Sequence, residues 1–239
     1  MPQPTNESET VNTYTIMSKS FYATVRDGIQ QTVYRIIDPG IRFMLKLGVT
    51  PNMITTLGLL GNIAAAAIFV YSALYVPASC YWWVGLAGWI IIGFSILDMV
   101  DGRMARVGNL SSTFGAFYDS VLDRYSELFT LSGISFYFIQ TGHPVAAVVT
   151  ILSLIGSIMV SYVRARAEGL DIECKVGLMQ RPERVVLTSA GAVLCGLCAD
   201  ACRESFDPMW FLLVPQIVIA VLANYTAFVR INHVRKQLK

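Results

Sequence analysis

Four aspartates dominate the chemistry open to this sequence. The segment DMVDGRMARVGNLSSTFGAFYDSVLD runs from Asp98 to Asp123, with Asp98 and Asp101 three positions apart and Asp119 and Asp123 four apart. Either spacing places a pair on one face of a helix. Four converging carboxylates repel one another and lose hydration together, and a hard divalent cation with oxygen ligands relieves both costs. One carboxylate can bridge two such ions, and two ions can stabilise both the attacking and the leaving oxygen of an in-line displacement. A positioned carboxylate can also take the proton of an attacking hydroxyl, although residue types alone do not single out which one. Pairing with Arg103, Arg106 or Arg124, or protonation, would neutralise the charge too, but neither explains the paired spacing. Gly102 directly follows the second aspartate and Gly115 lies one turn before Asp119; without a side chain, each lets backbone approach a ligand or another helix. Arg106 suits a phosphate, because a guanidinium engages two phosphate oxygens at once.

The elements that carry these residues are membrane helices. Of the 239 residues 54% are hydrophobic and 14% charged, with a mean hydropathy of +0.55. A soluble domain carries roughly a quarter charged residues. The apolar surplus recurs in stretches about 20 residues long, the length that spans hydrocarbon as a helix. Six spans are expected, at about 54–75, 82–104, 113–140, 144–167, 185–202 and 209–230. The fold class is therefore an all-α membrane protein of six transmembrane helices. At a rise of about 1.5 Å per residue, Asp98 lies roughly 24 Å down the second span, and Asp119 and Asp123 roughly 9 and 15 Å up the third. In a core of about 30 Å the two pairs reach similar depth, in the same half. Short connections make successive spans antiparallel, so all four carboxylates converge.

Charge sets the orientation. Lys19, Arg26, Arg35, Arg42 and Lys46 precede the first span. Arg103 and Arg106 follow the second, Arg164, Arg166, Lys175, Arg181 and Arg184 surround the fourth-to-fifth connection, and Arg230, Arg235, Lys236 and Lys239 end the chain. The opposite loops hold one basic residue, Arg203. The positive-inside rule then puts both termini and the aspartates on the cytoplasmic side. Residues 1–18 are expected to be a disordered polar tail. Residues 19–50 mix apolar with basic positions and suit an amphipathic helix lying in the interface, broken near Pro39–Gly40, with residues 51–232 forming the membrane domain and 233–239 a basic tail. The first 50 residues lack the pattern of a cleaved leader. A net charge of +2 leaves no footprint for nucleic acid.

At this point the segment resembles the signature of the CDP-alcohol phosphotransferases, D-x2-D-G-x2-A-R followed by a spacer and G-x3-D-x3-D. Asp98, Asp101, Gly102, Ala105, Arg106, Gly115, Asp119 and Asp123 fill all eight fixed positions, and the six-span plan matches the family. The resemblance implies that divalent metal, Mg²⁺ with Mn²⁺ as a substitute and two ions in number, is held by Asp98, Asp101, Asp119 and Asp123. It implies that an acceptor hydroxyl attacks the lipid-bearing phosphorus of CDP-diacylglycerol, that CMP leaves, and that Asp123 is the general base. Pro51, Asn52 and Thr55 match the family's segment against the CDP moiety, and Gly102, Ala105, Arg106, Ser112 and Gly115 match further contacts to the CDP-lipid. Helix capping is the plainer role for Asn52 and Thr55.

The segments SYVRARAEGL and QRPERVV resemble those of the phosphatidylinositol phosphate synthases within that family, whose acceptor is inositol 1-phosphate. Ser161, Arg164, Arg181, Arg184 and Arg230 match positions at the acceptor phosphate there. Two residues depart from the pattern: Gln180 replaces an acidic residue, and Arg164 stands where Lys is frequent. Physical reasoning agrees, since a dianionic acceptor calls for several fixed cations. The alternative is that these arginines only enforce topology or grip lipid headgroups. Glycerol 3-phosphate and free inositol remain alternative acceptors, and the resemblance implies a homodimer. Cys195, Cys198 and Cys202 have no His near them in sequence and suit small buried hydrophobes better than a metal site. Intramembrane acids also mark cation transporters, but here the charges cluster toward one face, which favours an enzyme.

Overall fold

The computed structural model describes residues 35, 37–77, 79–202 and 206–238. The expected polar tail and most of the expected interfacial helix lie outside these residues. All regular structure among the described residues is helical. Six long helices follow one another: α1 (Pro51–Tyr75), α2 (Trp82–Val107), α3 (Thr113–Gln140), α4 (Pro144–Glu168), α5 (Arg181–Cys202) and α6 (Met209–Gln237). Five of them, all but α3, are long and apolar enough to cross a membrane. With 28 residues α3 has the length, but it carries Asp119, Asp123, Arg124 and Glu127. The chain is a multi-pass membrane protein. Its surface fits that setting, since Leu60, Phe117, Val148, Leu197, Val221 and Phe228 are each more than half exposed, a display that water would penalise and lipid requires.

The helices close into a ring. Packing runs from α1 to α2, α5, α6, α4 and α3, and from α3 back to α1. The consecutive helices α2 and α3 each pack along α1. Close approach rests on small residues, as is common between membrane helices. A Cβ on Gly133 of α3 would come within 2.9 Å of the Ala66 backbone of α1. Gly85 of α2 and Gly196 of α5 meet face to face, so that a Cβ on Gly196 would lie 2.5 Å from the Gly85 Cα. One half of the ring is filled by a cluster that includes Phe69, Ile91, Ile134, Tyr137, Phe138 and Leu212. The aspartates lie in the other half, and their setting depends on how α2 ends and α3 begins. Asn109, at φ 51°, adopts the left-handed conformation, which lets the Leu110 N–H close on the Ala105 carbonyl at 2.9 Å and ends α2. Ser112, in extended conformation, then caps α3 by accepting the Gly115 N–H at 2.9 Å.

Residues 37–46 form a short helix that runs through Pro39 and Gly40, where a break was expected. Ile41 is fully buried against Ile54, Val100 and Met104. Arg103 of α2 grips Asp38 with two hydrogen bonds, Nε at 2.8 Å and a terminal nitrogen at 2.7 Å.

Candidate active site

Helix α1 contributes a polar first two turns. Pro51 takes the first helical position, where its missing N–H costs nothing. Thr55, one turn on, is buried and donates to Asp101 Oδ2 at 2.7 Å. Thr55 is thus an arm holding a carboxylate, rather than a cap. Asp101 is 5% exposed. One further turn along α1, Gly58 leaves room for Asp98, whose Oδ1 would lie 3.1 Å from an added Cβ. Asp98 and Asp101 therefore both face α1, as their spacing requires.

On α3, Asp119, Asp123 and Glu127 follow at intervals of four and share a face. Asp119 lies within electrostatic reach of Asp98 and Asp101. Arg181, in the first turn of α5, joins the two motif pairs. One terminal nitrogen lies 2.9 Å from Asp98 Oδ2 and the other 2.9 Å from Asp123 Oδ1. Arg124 stands 4.0 Å from Asp123 Oδ2. Among the described residues no three carboxylates, imidazoles or thiolates surround one point closely enough to hold an ion; the guanidinium keeps Asp98 and Asp123 on either side of itself. The donor set nevertheless suits a hard divalent cation, being four carboxylates on two helices with hydroxyl support from Thr55.

Two cavities meet at these aspartates. A cavity of about 220 Å³ is lined by Pro51, Asn52, Thr55, Asp101, Gly102, Ala105, Ser112, Gly115 and Asp119 among others. Gly115 keeps it open beside Asn52, whose Oδ1 would lie 3.5 Å from an added Cβ. This is the set matched to the CDP-lipid, without Arg106. The Arg106 Nε instead turns back on the Gly102 carbonyl at 3.0 Å. A second cavity, of about 380 Å³, is lined by Asp119, Asp123, Ser161, Arg164, Arg181, Arg184 and Arg230 among others. Asp119 borders both.

The four arginines matched to an acceptor phosphate divide into two kinds. Arg184 is 2% exposed and holds Glu127 through Nε at 2.6 Å and a terminal nitrogen at 3.0 Å, while its third nitrogen donates to the Met179 carbonyl at 3.3 Å. Arg230, also 2% exposed, donates to the carbonyls of Val176 at 2.8 Å and Val160 at 2.6 Å. Both are committed to protein groups and build the floor of the cavity. Arg164, 40% exposed and paired with Glu168 at 2.8 Å, and Arg181, held by Asp98 and Asp123, border the open space. Ser161 is half-buried at the wall.

Sequence reasoning missed Gly58, Glu127 and the bridging place of Arg181. The i, i+4, i+8 spacing of Asp119, Asp123 and Glu127 was a signal for the second, and Gly58 one turn beyond Thr55 was a signal for the first. Cys195, buried and free, is the small hydrophobe expected.

Residues 48–222 match the family model described as CDP-alcohol phosphatidyltransferase. The chain is 30% identical over 207 residues to the phosphatidylinositol phosphate synthase of Mycobacteroides abscessus, covering 86% of each chain. It is 32% identical to the archaetidylinositol phosphate synthase of Methanothermobacter thermautotrophicus, covering 87% of this chain and 92% of that one. The crystal structure of the Mycobacterium tuberculosis phosphatidylinositol phosphate synthase with CDP-DAG bound superposes with a TM-score of 0.71 at 27% identity, covering 84% of this chain and 94% of that chain. The same enzyme in complex with manganese and citrate gives 0.70 at 27% identity, covering 82% and 87%. This chain belongs to the CDP-alcohol phosphatidyltransferase family, and is a metal-dependent membrane enzyme of phospholipid synthesis.

Proposed function

We propose that the enzyme transfers the phosphatidyl group of CDP-diacylglycerol to the hydroxyl of inositol 1-phosphate, giving phosphatidylinositol phosphate and CMP. The observation that carries this reading is the pair of cavities sharing Asp119, one lined by the residues matched to the CDP-lipid and the other by Arg164 and Arg181 over a floor of Arg184 and Arg230. Asp98, Asp101, Asp119 and Asp123 would hold two divalent ions, Mg²⁺ by default. Bound there, the metal supplies neutralisation of the pyrophosphate and of the developing charge on attacking and leaving oxygens. The residues do the rest. Thr55 fixes the orientation of Asp101. Asn52 and the glycine-lined wall of the smaller cavity seat the nucleotide. Arg164 and Arg181 orient the acceptor phosphate so that its hydroxyl points to Asp123, which takes the proton as the new O–P bond forms.

The six long helices are read as six spans, α3 crossing with its charges turned into the ring. Both termini and the site lie on the cytoplasmic side, and the enzyme works as a homodimer. Residues 37–47, with Arg42, Phe43, Lys46 and Leu47 exposed, lie in the interface plane. The packed cluster of Phe69, Tyr137 and Phe138 in the far half of the ring favours an enzyme open to one face over a cation transporter.

Purified protein in detergent, given CDP-diacylglycerol and Mg²⁺, is expected to release CMP with inositol 1-phosphate but not with free inositol. Release with glycerol 3-phosphate instead would keep the mechanism and overturn the acceptor. A second reading concerns the donor. The identity to the archaetidylinositol phosphate synthase supports an archaetidyl donor, and release with that lipid alone would establish it.

A further inference from the structure

We infer that Arg181 is a resident counter-ion standing where divalent metal binds between Asp98 and Asp123, and that metal entry frees its guanidinium for an anion in the adjoining cavity, so that metal and anionic acceptor bind cooperatively. This deepens the function proposed above and rests on its reading of the aspartates as metal ligands.

Three observations carry it. Arg181 spends both terminal nitrogens on motif carboxylates of different helices, each at 2.9 Å. Those are oxygens a metal would need, and a guanidinium and a divalent cation repel too strongly to share them. Second, the fit of Arg181 is incomplete: its Nε is buried with no hydrogen-bond partner among the described residues. Third, its buried neighbours are already committed. Arg184 is locked by Glu127 and Met179 and Arg230 by two carbonyls, while Arg164 keeps an exposed pair with Glu168 on its own helix. At this cavity Arg181 is the arginine that bridges Asp98 and Asp123, and so the one that metal binding displaces. Its backbone is held one turn from the pinned Arg184, while its side chain borders the cavity of about 380 Å³, into which it can swing.

The energetics couple the two ligands. Without metal, Arg181 neutralises part of the aspartate cluster. With metal and no anion, the displaced guanidinium loses both ion pairs, a cost charged against metal affinity. An anion restores a partner and removes that cost. Linkage then requires each ligand to tighten the other by the same factor.

The test uses the full chain in detergent, Mn²⁺ titrations followed by the electron paramagnetic resonance of free Mn²⁺, and inorganic phosphate as the probe anion. Phosphate is expected to tighten Mn²⁺ binding about tenfold in the wild type. Arg181→Gln is expected to bind Mn²⁺ about tenfold more tightly than the wild type without phosphate, and to respond to phosphate less than about twofold. Arg181→Lys, whose point charge spans two carboxylates poorly, is expected to fall between them. Phosphate leaving wild-type affinity unchanged overturns the inference. So does coupling that persists in Arg181→Gln, which would mean that the anion reaches the metal directly. Where Arg181→Gln fails to fold, Arg181→Lys carries the comparison, and coupling in it equal to that of the wild type overturns the inference. A wild type that binds no Mn²⁺ under any condition sinks the metal reading itself, a distinct result from bound metal without coupling.

Discussion

Asp123 sits where three demands cross. It is reached by Arg181 at 2.9 Å, approached by Arg124 at 4.0 Å, and opens on the cavity assigned to the acceptor. Asp123→Asn keeps the shape and removes the proton acceptor, so CMP release should fall by at least about a hundredfold. Metal-dependent binding of CDP-lipid, measured by calorimetry, should stay within about an order of magnitude, because Asp98, Asp101 and Asp119 remain. Full turnover in that variant would remove Asp123 from the role of base. Gly58 offers a finer probe. A Cβ there meets Asp98 Oδ1 at 3.1 Å, closer than ordinary contact, so Gly58→Ala must push the carboxylate aside. Metal affinity is expected to drop several-fold with the fold intact, read as a rise in the Mg²⁺ concentration needed for half-maximal CMP release.

The helices place these residues through contacts far apart in sequence. Glu127 and Arg184 tie α3 to α5 beneath the site, with side chains only 9% and 2% exposed. Breaking a buried pair by removing one partner typically costs about 3–5 kcal/mol. Glu127→Gln should therefore lower the thermal midpoint by many degrees and raise the acceptor KM, while Glu127→Gln with Arg184→Met should recover part of the stability. The short helix at residues 37–46 depends on a more exposed tie. Its hydrogen bonds from Arg103 hold the Asp38 carboxyl below the usual carboxylate value, with Arg42 adding to the effect. A lowered folded value means that this contribution is present above about pH 4 and lost as pH falls through the folded value. Pepsin should cut next to Phe43 faster in Asp38→Asn than in the wild type near pH 4, and the difference should vanish on further acidification. Equal rates near pH 4 would show that Ile41 alone docks the segment. At this scale the sequence was readable where information is local. Five of the six helices carry an apolar composition that announces them, and the two aspartate pairs display their faces by spacing. Arg181 and Arg184 were visible as cations but not as partners of Asp98, Asp123 and Glu127. Those bonds are set by how α5 docks into the ring, which no local pattern encodes. The start of α5 at Arg181, earlier than hydropathy suggests, has the same cause: its polar first turn is held by carboxylates of other helices rather than by lipid.

As a whole, the molecule is a closed ring of six long helices, and the ligand site draws on all six of them. Ligands that bind only this assembled site stabilise it by mass action, about 2.7 kcal/mol at a hundredfold excess over Kd. Mg²⁺ with CDP-diacylglycerol should raise the thermal midpoint by several degrees, and chelation should reverse it; an unchanged midpoint would place the ligands off the ring. The apolar packing that fills the other half of the ring should change little, so hydrogen exchange is expected to slow chiefly around residues 51–58, 98–123 and 181–184. The same arrangement bears on how the chain is made. Helix α3 leaves the ribosome with Asp119, Asp123, Arg124 and Glu127 aboard, before Arg181 and Arg184 have been synthesised. Its charge load leaves it short of the apolar composition of its five companions. Read as the third span, as proposed, it is expected to enter the bilayer poorly alone, and either to wait beside α1 at the translocon or to be drawn in once α5 arrives. On the second route, the guanidiniums that hold the finished site together also set the moment in biogenesis at which the third helix becomes at home in the membrane.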